Sequence, residues 1–462
     1  MKKLILLLPF LLLPLTGCDK DIPLPTPSEP DVTDGNDERN YRYTNKLVKP
    51  SFTVSNMKEL SAAVDYCAFY KIEYFDITLN NYVWSTRNNV LKEELNYLYW
   101  YGELVNSVMG MNAQAIKNNV WRFQLTFYKN AYKDTEETKV QLNQIIDFKF
   151  AGDRDDSWNN FATDDPSKPV VDVATTQQLW YAVEHGYRVN PIEYSPADYY
   201  YDQAKDLLRH NVLSTASSEE KMASIYDLII STCQYDYEAL DYPEPQNPDL
   251  YPDETCAGYK AFFLEGYFDN NLLVCDGYAK LATLLGRMEG IEIVRGTGTH
   301  YTAKDWKSRS VSGHGYTYFK NTKDNKWYLA CPTWSHINVP NTSYYVLTHT
   351  YFFASKALMY TYENTNWQDL NYATKSNYSY YSARKYTYQD KEYDLLLDTV
   401  EEANAALETL KKSQRGFIDF CVNPNIENEV FNEITNLITN GAKENEYQGT
   451  RLNVLNYTLY KL

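Results

Sequence analysis

The run Leu273-Val-Cys-Asp-Gly-Tyr-Ala-Lys-Leu-Ala-Thr-Leu-Leu-Gly286 decides how this chain is read. Asn271 to Val274 suit a short extended approach. The residues after them have helical spacing, with Tyr278, Leu281, Ala282, Leu285 and Met288 on one stripe. Cys275 therefore stands where a helix begins. Unpaired N–H groups and the positive end of the helix dipole favour a thiolate there, and the thiolate is the nucleophile of cysteine enzymes. A free cysteine is also a common core residue, so the rest of the chain must decide between the two.

Working outward, Ser312-Gly-His-Gly-Tyr-Thr-Tyr-Phe319 alternates and is rich in aromatics, which predicts a strand carrying His314. A polar turn, Lys320 to Lys326, leads to a second strand, Trp327-Tyr-Leu-Ala-Cys331, and Pro332 stops it. The two form a hairpin. With Phe319 facing Trp327, residue 332 falls opposite His314; a one-residue shift puts residue 331 there, on the same face as the imidazole. A catalytic triad needs its third member at that spot to orient the imidazole and fix its tautomer. In this chain the residue is Cys331.

These segments resemble the transglutaminase-like superfamily, a branch of the papain-like cysteine enzymes. The matching residues are Val274-Cys-Asp-Gly-Tyr-Ala279, Gly313 to Phe319 and Trp327-Tyr-Leu-Ala-Cys-Pro-Thr-Trp334. Upstream, Glu219 to Ile230 followed by Tyr235-Asp-Tyr237 looks like the helix that opens such a domain. Ser217 and Glu220 supply its capping-box pattern, and Met222, Ile225, Tyr226 and Ile229 its apolar face. The resemblance implies an α+β, transglutaminase-like core, with a nucleophile helix packed on an antiparallel sheet and small α+β modules on its flanks. It implies Cys275 as nucleophile, His314 as general base and Cys331 in the aspartate's place, with no cofactor. Gly315, Tyr316 and Thr317 stand where the family has Ala, Trp and Asn. His300 and His336 lie near enough in sequence to be substitute orienters. A Cys275–Cys331 disulfide would require His314 to leave its place between them, because bridged cysteines have Cα atoms about 4.4–6.8 Å apart.

The N-terminus has Lys2 and Lys3, an apolar stretch from Leu4 to Leu15, and Leu15-Thr-Gly-Cys18, a pattern resembling a bacterial lipoprotein signal in the style of Bacteroidota. Cys18 would then be the lipidated first residue, tethering the protein to the outer membrane of the cell envelope. Without residues 1–17 the chain holds 42 basic and 61 acidic side chains, which argues against nucleic acid as a partner. The cysteines show no C-x-x-C pair, and none of the six histidines has metal-ligand spacing. Cys233 and Cys256 are either buried thiols or a pair.

The expected organisation is a signal peptide at 1–17, a flexible spacer at 18–48, an N-terminal α+β module at 49–135, a linker with a second partial module at 136–215, the core at 216–356, a Tyr-rich connector at 357–392 and a C-terminal α+β module at 393–462. The modules begin alike, at Val54 to Leu79, Val173 to Tyr194 and Thr399 to Val422; the first continues through a helix at Val90–Val105 and a strand at Trp121–Phe127, the third through a helix at Glu429–Ile438 and a strand at Thr450–Tyr460. Two functions stay open. One is a cysteine-dependent amide hydrolase or acyltransferase on peptide, protein or cell-wall substrates. The other is a catalytically impaired scaffold for protein or glycan binding.

Overall fold

The computed structural model describes residues 49–82, 108–127, 140–146, 160–237, 239, 259–301, 311–356, 370–451 and 455–462. The signal peptide expected at 1–17, Cys18, the helix expected at Val90–Val105, Cys256 and positions 357–369 lie outside these residues.

The chain opens with β1 (Thr53–Val54), α1 (Met57–Phe69) and β2 (Tyr74–Leu79), followed by β3 (Val108–Lys117) and β4 (Val120–Phe127). β1 and β2 are parallel across α1, and the sheet runs β1-β2-β4-β3. A short strand, β5 (Val140–Gln141), precedes a second parallel pair, β6 (Val170–Val173) and β7 (Arg188–Pro191), joined by α2 (Thr176–Glu184).

Next come α3 (Pro196–Asn211), α4 (Ser218–Thr232), β8 (Gln234–Tyr235), α5 (Leu264–Asn270), β9 (Leu272–Leu273) and α6 (Cys275–Met288). The sheet behind α6 is β10 (Ile293–Tyr301), β11 (Val311–Asn321) and β12 (Lys326–Ala330), all antiparallel. β13 (His336–Asn338) and β14 (Tyr344–Leu347) follow, and β5 adds to β14 in parallel.

The described part of the connector holds a hairpin, β15 (Lys385–Tyr388) and β16 (Lys391–Asp394), turned by Gln389 and Asp390 at positive φ. Several tyrosines here are core residues: Tyr380, Tyr381, Tyr386 and the adjoining Tyr393 are buried, while Tyr372, Tyr378 and Tyr388 are half-buried. The C-terminal unit is β17 (Leu396–Leu397), α7 (Val400–Lys412), β18 (Gly416–Val422), α8 (Asn428–Glu444), β19 (Gln448–Arg451) and β20 (Asn456–Lys461). The single strand expected at Thr450–Tyr460 is therefore two antiparallel strands.

The C-terminal sheet runs β17-β18-β20-β19, with the same order and the same parallel first pair as the N-terminal sheet. The three β–α–β starts also share their chemistry. Asn56, Thr175 and Thr399 each cap their helix through the N–H of Glu59, Gln178 and Glu402, which satisfies a donor that the helix leaves open. One apolar cluster runs through all the units, from Leu60 and Ile77 through Leu179, Ile229 and Leu285 to Phe420. Residues 140–146 link β14 to the C-terminal sheet, because β5 pairs with β14 while the Ile145 N–H donates to the Phe417 carbonyl at 3.1 Å.

α4 has the expected capping box, Ser217 with Glu220, and buries Met222, Ile225, Tyr226 and Ile229 completely. α6 is buried on every side from Asp276 to Gly286, as a central helix must be. The architecture is α+β.

Candidate active site

Cys275 is the first residue of α6, as the sequence predicts. Val274 precedes it and has no side chain able to cap the helix, so the first-turn donors are left for other acceptors. Two N–H groups reach the Cys275 sulfur, those of Asp276 and Gly315. Gly315 follows His314 on β11, so the imidazole's own strand touches the start of α6.

A Cβ at Gly315 would lie 3.0 Å from Asp276 Cα and 3.3 Å from the Cys275 carbonyl oxygen. These are backbone atoms that cannot swing aside. The absence of a side chain at Gly315 is what lets strand and helix approach this closely.

His314 is buried, and its ring stacks on Trp334 with centroids 4.6 Å apart and planes 12° from parallel. His314 Nε2 lies 3.1 Å from Cys331 Sγ. Cys331 thus lies beside the imidazole, though it arrives there by a different route from the expected pairing. Phe319 pairs with Tyr328, one residue from the expected Trp327 and in the direction that carries residue 331 away from His314. Regular pairing stops at Thr317–Ala330.

Cys331 then leaves the strand, its N–H donating to the Tyr351 carbonyl at 3.0 Å, and a 3-10 turn at Pro332–Ser335 swings its side chain back toward the imidazole. Tyr226 of α4 anchors that turn, donating to the Cys331 carbonyl at 3.2 Å and meeting Ser335 Oγ at 2.5 Å.

Electrostatics keep both thiols protonated at neutral pH. Burial pushes Cys275 up to about 11, and the Gly315 N–H offsets this only in part. Burial likewise pushes Cys331 to about 12. Both are free thiols, and no disulfide joins them. Cys233 is also a buried free thiol.

His336 is not an orienter for His314. Its Nε2 donates to the Ile230 carbonyl at 2.6 Å and its Nδ1 lies 3.2 Å from the Tyr278 hydroxyl. His300 pairs with Ser312, two residues along β10 from Gly298, the partner of His314.

Two groups of site residues were not singled out by sequence reasoning. The first is Tyr235, which β8 places beside β9, paired with Leu273 just before the nucleophile. Its hydroxyl accepts the Cys275 backbone N–H. Burial above all raises the phenol, so it stays protonated and keeps an O–H to donate. The only signal was its place in the upstream match.

The second group is a buried charge cluster behind the helix start. Arg295 Nε lies 2.5 Å from Asp276 Oδ1, and Lys280 Nζ lies 2.5 Å from Oδ2. All three residues are buried. Its signal was Asp276 and Lys280 at i,i+4 inside an otherwise apolar helix.

No family model matches the chain, and no curated protein matches it in sequence. Two solved structures are similar over part of it. One, a transglutaminase (TGase), is 11% identical with a TM-score of 0.23, covering 58% of this chain and 53% of its own. The other, a candidate cysteine protease from Cytophaga hutchinsonii, is 12% identical with a TM-score of 0.18, covering 48% of this chain and 61% of its own. The chain thus spans little more than half the length of either structure, and the reading of the site rests on its own residues.

Proposed function

We propose that this protein is a transglutaminase-like cysteine acyl-transfer enzyme, with Cys275 as nucleophile and His314 as general base. The observation that carries this reading is His314 held at both sides, by the Trp334 stack and by Cys331 Sγ at 3.1 Å, on the strand whose next N–H meets the Cys275 sulfur.

With Nε2 directed at Cys331, Nδ1 is the nitrogen that takes the Cys275 proton as sulfur attacks an amide carbonyl carbon. The Tyr235 hydroxyl, which accepts the Cys275 N–H, keeps its own proton to donate to the developing oxyanion. The C–N bond then breaks, the amine leaves with the proton carried by His314, and water or a second amine resolves the thioester. Because the resting thiol is neutral, the proton moves during attack and no ion pair is formed beforehand. The chemistry is therefore slow at neutral pH and quickens as pH rises.

Peptide or cell-wall amides are the proposed substrates, in keeping with an envelope protein tethered through Cys18. Acyl capture tests the reading. The full chain is incubated with a p-nitrophenyl ester at pH 8.5, and the expected result is an acyl group mapped to Cys275, absent from Cys275→Ser, and removed faster by added glycine amide than by water. An acyl group spread over other thiols, with Cys275 unlabelled, would leave the protein as a non-catalytic scaffold.

A further inference from the structure

Asp276 poses an electrostatic problem. A carboxylate in the first turn of a helix is favourable for the helix. Next to a sulfur that must ionise it is unfavourable, because the two negative charges repel. This carboxylate is also buried, so water does little to screen it.

The structure answers with two cations drawn from different elements. Arg295 comes from β10, three residues along the sheet from Gly298, the partner of His314. Lys280 comes from the next turn of α6 and also donates to the Phe262 carbonyl at 3.0 Å. Each holds one oxygen of Asp276 at 2.5 Å.

Both cations lie against the Trp180 ring of α2, at 5.5 and 5.7 Å, and Lys280 is 4.2 Å from the Phe263 ring centroid. The other charges facing the cluster are carboxylates. Glu184 of α2 accepts the Arg295 backbone N–H, and Glu265 of α5 is buried with the Thr176 hydroxyl donating to it at 2.6 Å. Cys331 and Tyr235 also interact with Cys275.

We propose that Arg295 and Lys280 are positioning residues for Cys275: by holding both oxygens of Asp276 they offset the one negative charge that opposes thiolate formation at the start of α6. This rests on Cys275 being the nucleophile, and it explains how a site with a thiol in the aspartate's place keeps that nucleophile usable. The surroundings of the sulfur agree in sign. Burial is the largest influence on Cys275 and the Gly315 N–H the next; after these Asp276 raises the thiol and Arg295 lowers it. The arrangement also gives α2, part of the flanking β–α–β unit, a place in the site through Trp180 and Glu184.

The test is the rate of Cys275 alkylation by iodoacetamide at pH 8.5 in the full chain, read by peptide mapping. Asp276→Asn removes the opposing charge and is expected to speed alkylation by about tenfold, the size of a one-unit pKa shift. Arg295→Gln is expected to slow it by about tenfold, and Arg295→Lys to restore most of the rate. The double variant Asp276→Asn/Arg295→Gln, neutral at both positions, should return near the wild-type rate.

Loosening of the site would expose the thiol and speed both single variants, so opposite signs separate charge from damage. If Arg295→Gln fails to fold, Asp276→Asn and the double variant still decide. Asp276→Asn at the wild-type rate, or both single variants moving the same way, overturns the proposal. The readout is ionisation of the thiol, so a failed acyl capture would remove the enzyme reading without touching this result.

Discussion

Cys331→Asp is expected to raise the rate of Cys275 acylation near pH 7 by about 10²–10⁴. A neutral thiol at 3.1 Å from His314 Nε2 holds the ring in place but does little else. It is a weak acceptor, so it does not enforce the tautomer that leaves Nδ1 basic, and it does not stabilise the imidazolium formed during attack. An aspartate would do both. In serine proteases, loss of that charge costs about 10⁴ in turnover, which sets the upper end of the range.

The pocket around position 331 suits a carboxylate. The Trp334 N–H, the Thr333 N–H and the Thr333 hydroxyl all favour a negative charge at the sulfur. That hydroxyl is buried and makes no full hydrogen bond within the protein, so the carboxylate would meet a waiting donor and the fold should tolerate it. The alkylation profile should change with the rate. In the wild type it climbs toward about 11; in Cys331→Asp a thiolate–imidazolium pair should bring reaction below the free-thiol value of about 8.5. An unchanged profile, with folding intact, would mean that Cys331 does not hold the orienting position.

The largest stability effect is expected at His349. Its Nε2 lies 2.8 Å from Asp227 Oδ1 and its Nδ1 lies 2.8 Å from Asp419 Oδ2, so the doubly protonated ring is the form that satisfies both carboxylates. Arg384 reaches the other Asp227 oxygen at 3.0 Å, and Tyr380 stacks on the imidazole at 3.8 Å. Asp227 belongs to α4 and Asp419 to β18, so this cluster clamps the C-terminal sheet to the site-bearing core. All of it but Arg384 is buried. Replacing His349 by Gln leaves two buried carboxylates short of a cation and should cost about 3–5 kcal/mol. The first thermal transition would then fall by on the order of 10 °C.

The pH dependence has a defined sign. Burial alone would lower His349, but its hydrogen bonds to Asp227 and Asp419 outweigh this and raise it. The clamp's contribution is therefore complete below the unfolded value of about 6.5 and is lost as pH climbs through the raised one. His336 acts in the opposite direction. Burial lowers it to about 4, so its share is present above about 6.5 and is lost as pH falls through about 4. Thermal scans from pH 5 to 9 should show His349→Gln losing the alkaline limb of the wild-type curve. An alkaline limb of equal size in the variant would place that titration elsewhere.

The parts of the fold legible beforehand are those written in local chemistry. The capping pattern at Ser217, the apolar stripe after Cys275 and the alternation around His314 all specify backbone within a few residues. Strand register is set by tertiary contacts, and a polar turn of several residues leaves it open by one. That is why the hairpin pairing was off while Cys331 still arrives at His314: the 3-10 turn after Ala330 makes up the difference. The buried clusters were hidden for another reason. Arg295, Asp276, His349, Asp227 and Asp419 are separated by up to 192 positions and look, one by one, like ordinary surface residues. Only their convergence in low dielectric gives them roles.

That His314 takes the proton of Cys275 is tested most directly by comparing acylation of Cys275 by a p-nitrophenyl ester at pH 8 in the wild type and in His314→Ala. General-base catalysis predicts a loss of about 10²–10⁴ in the variant, with its thermal unfolding close to that of the wild type. Equal acylation rates in the two proteins would show that Cys275 reacts as an unassisted thiol, and the enzyme account would fail.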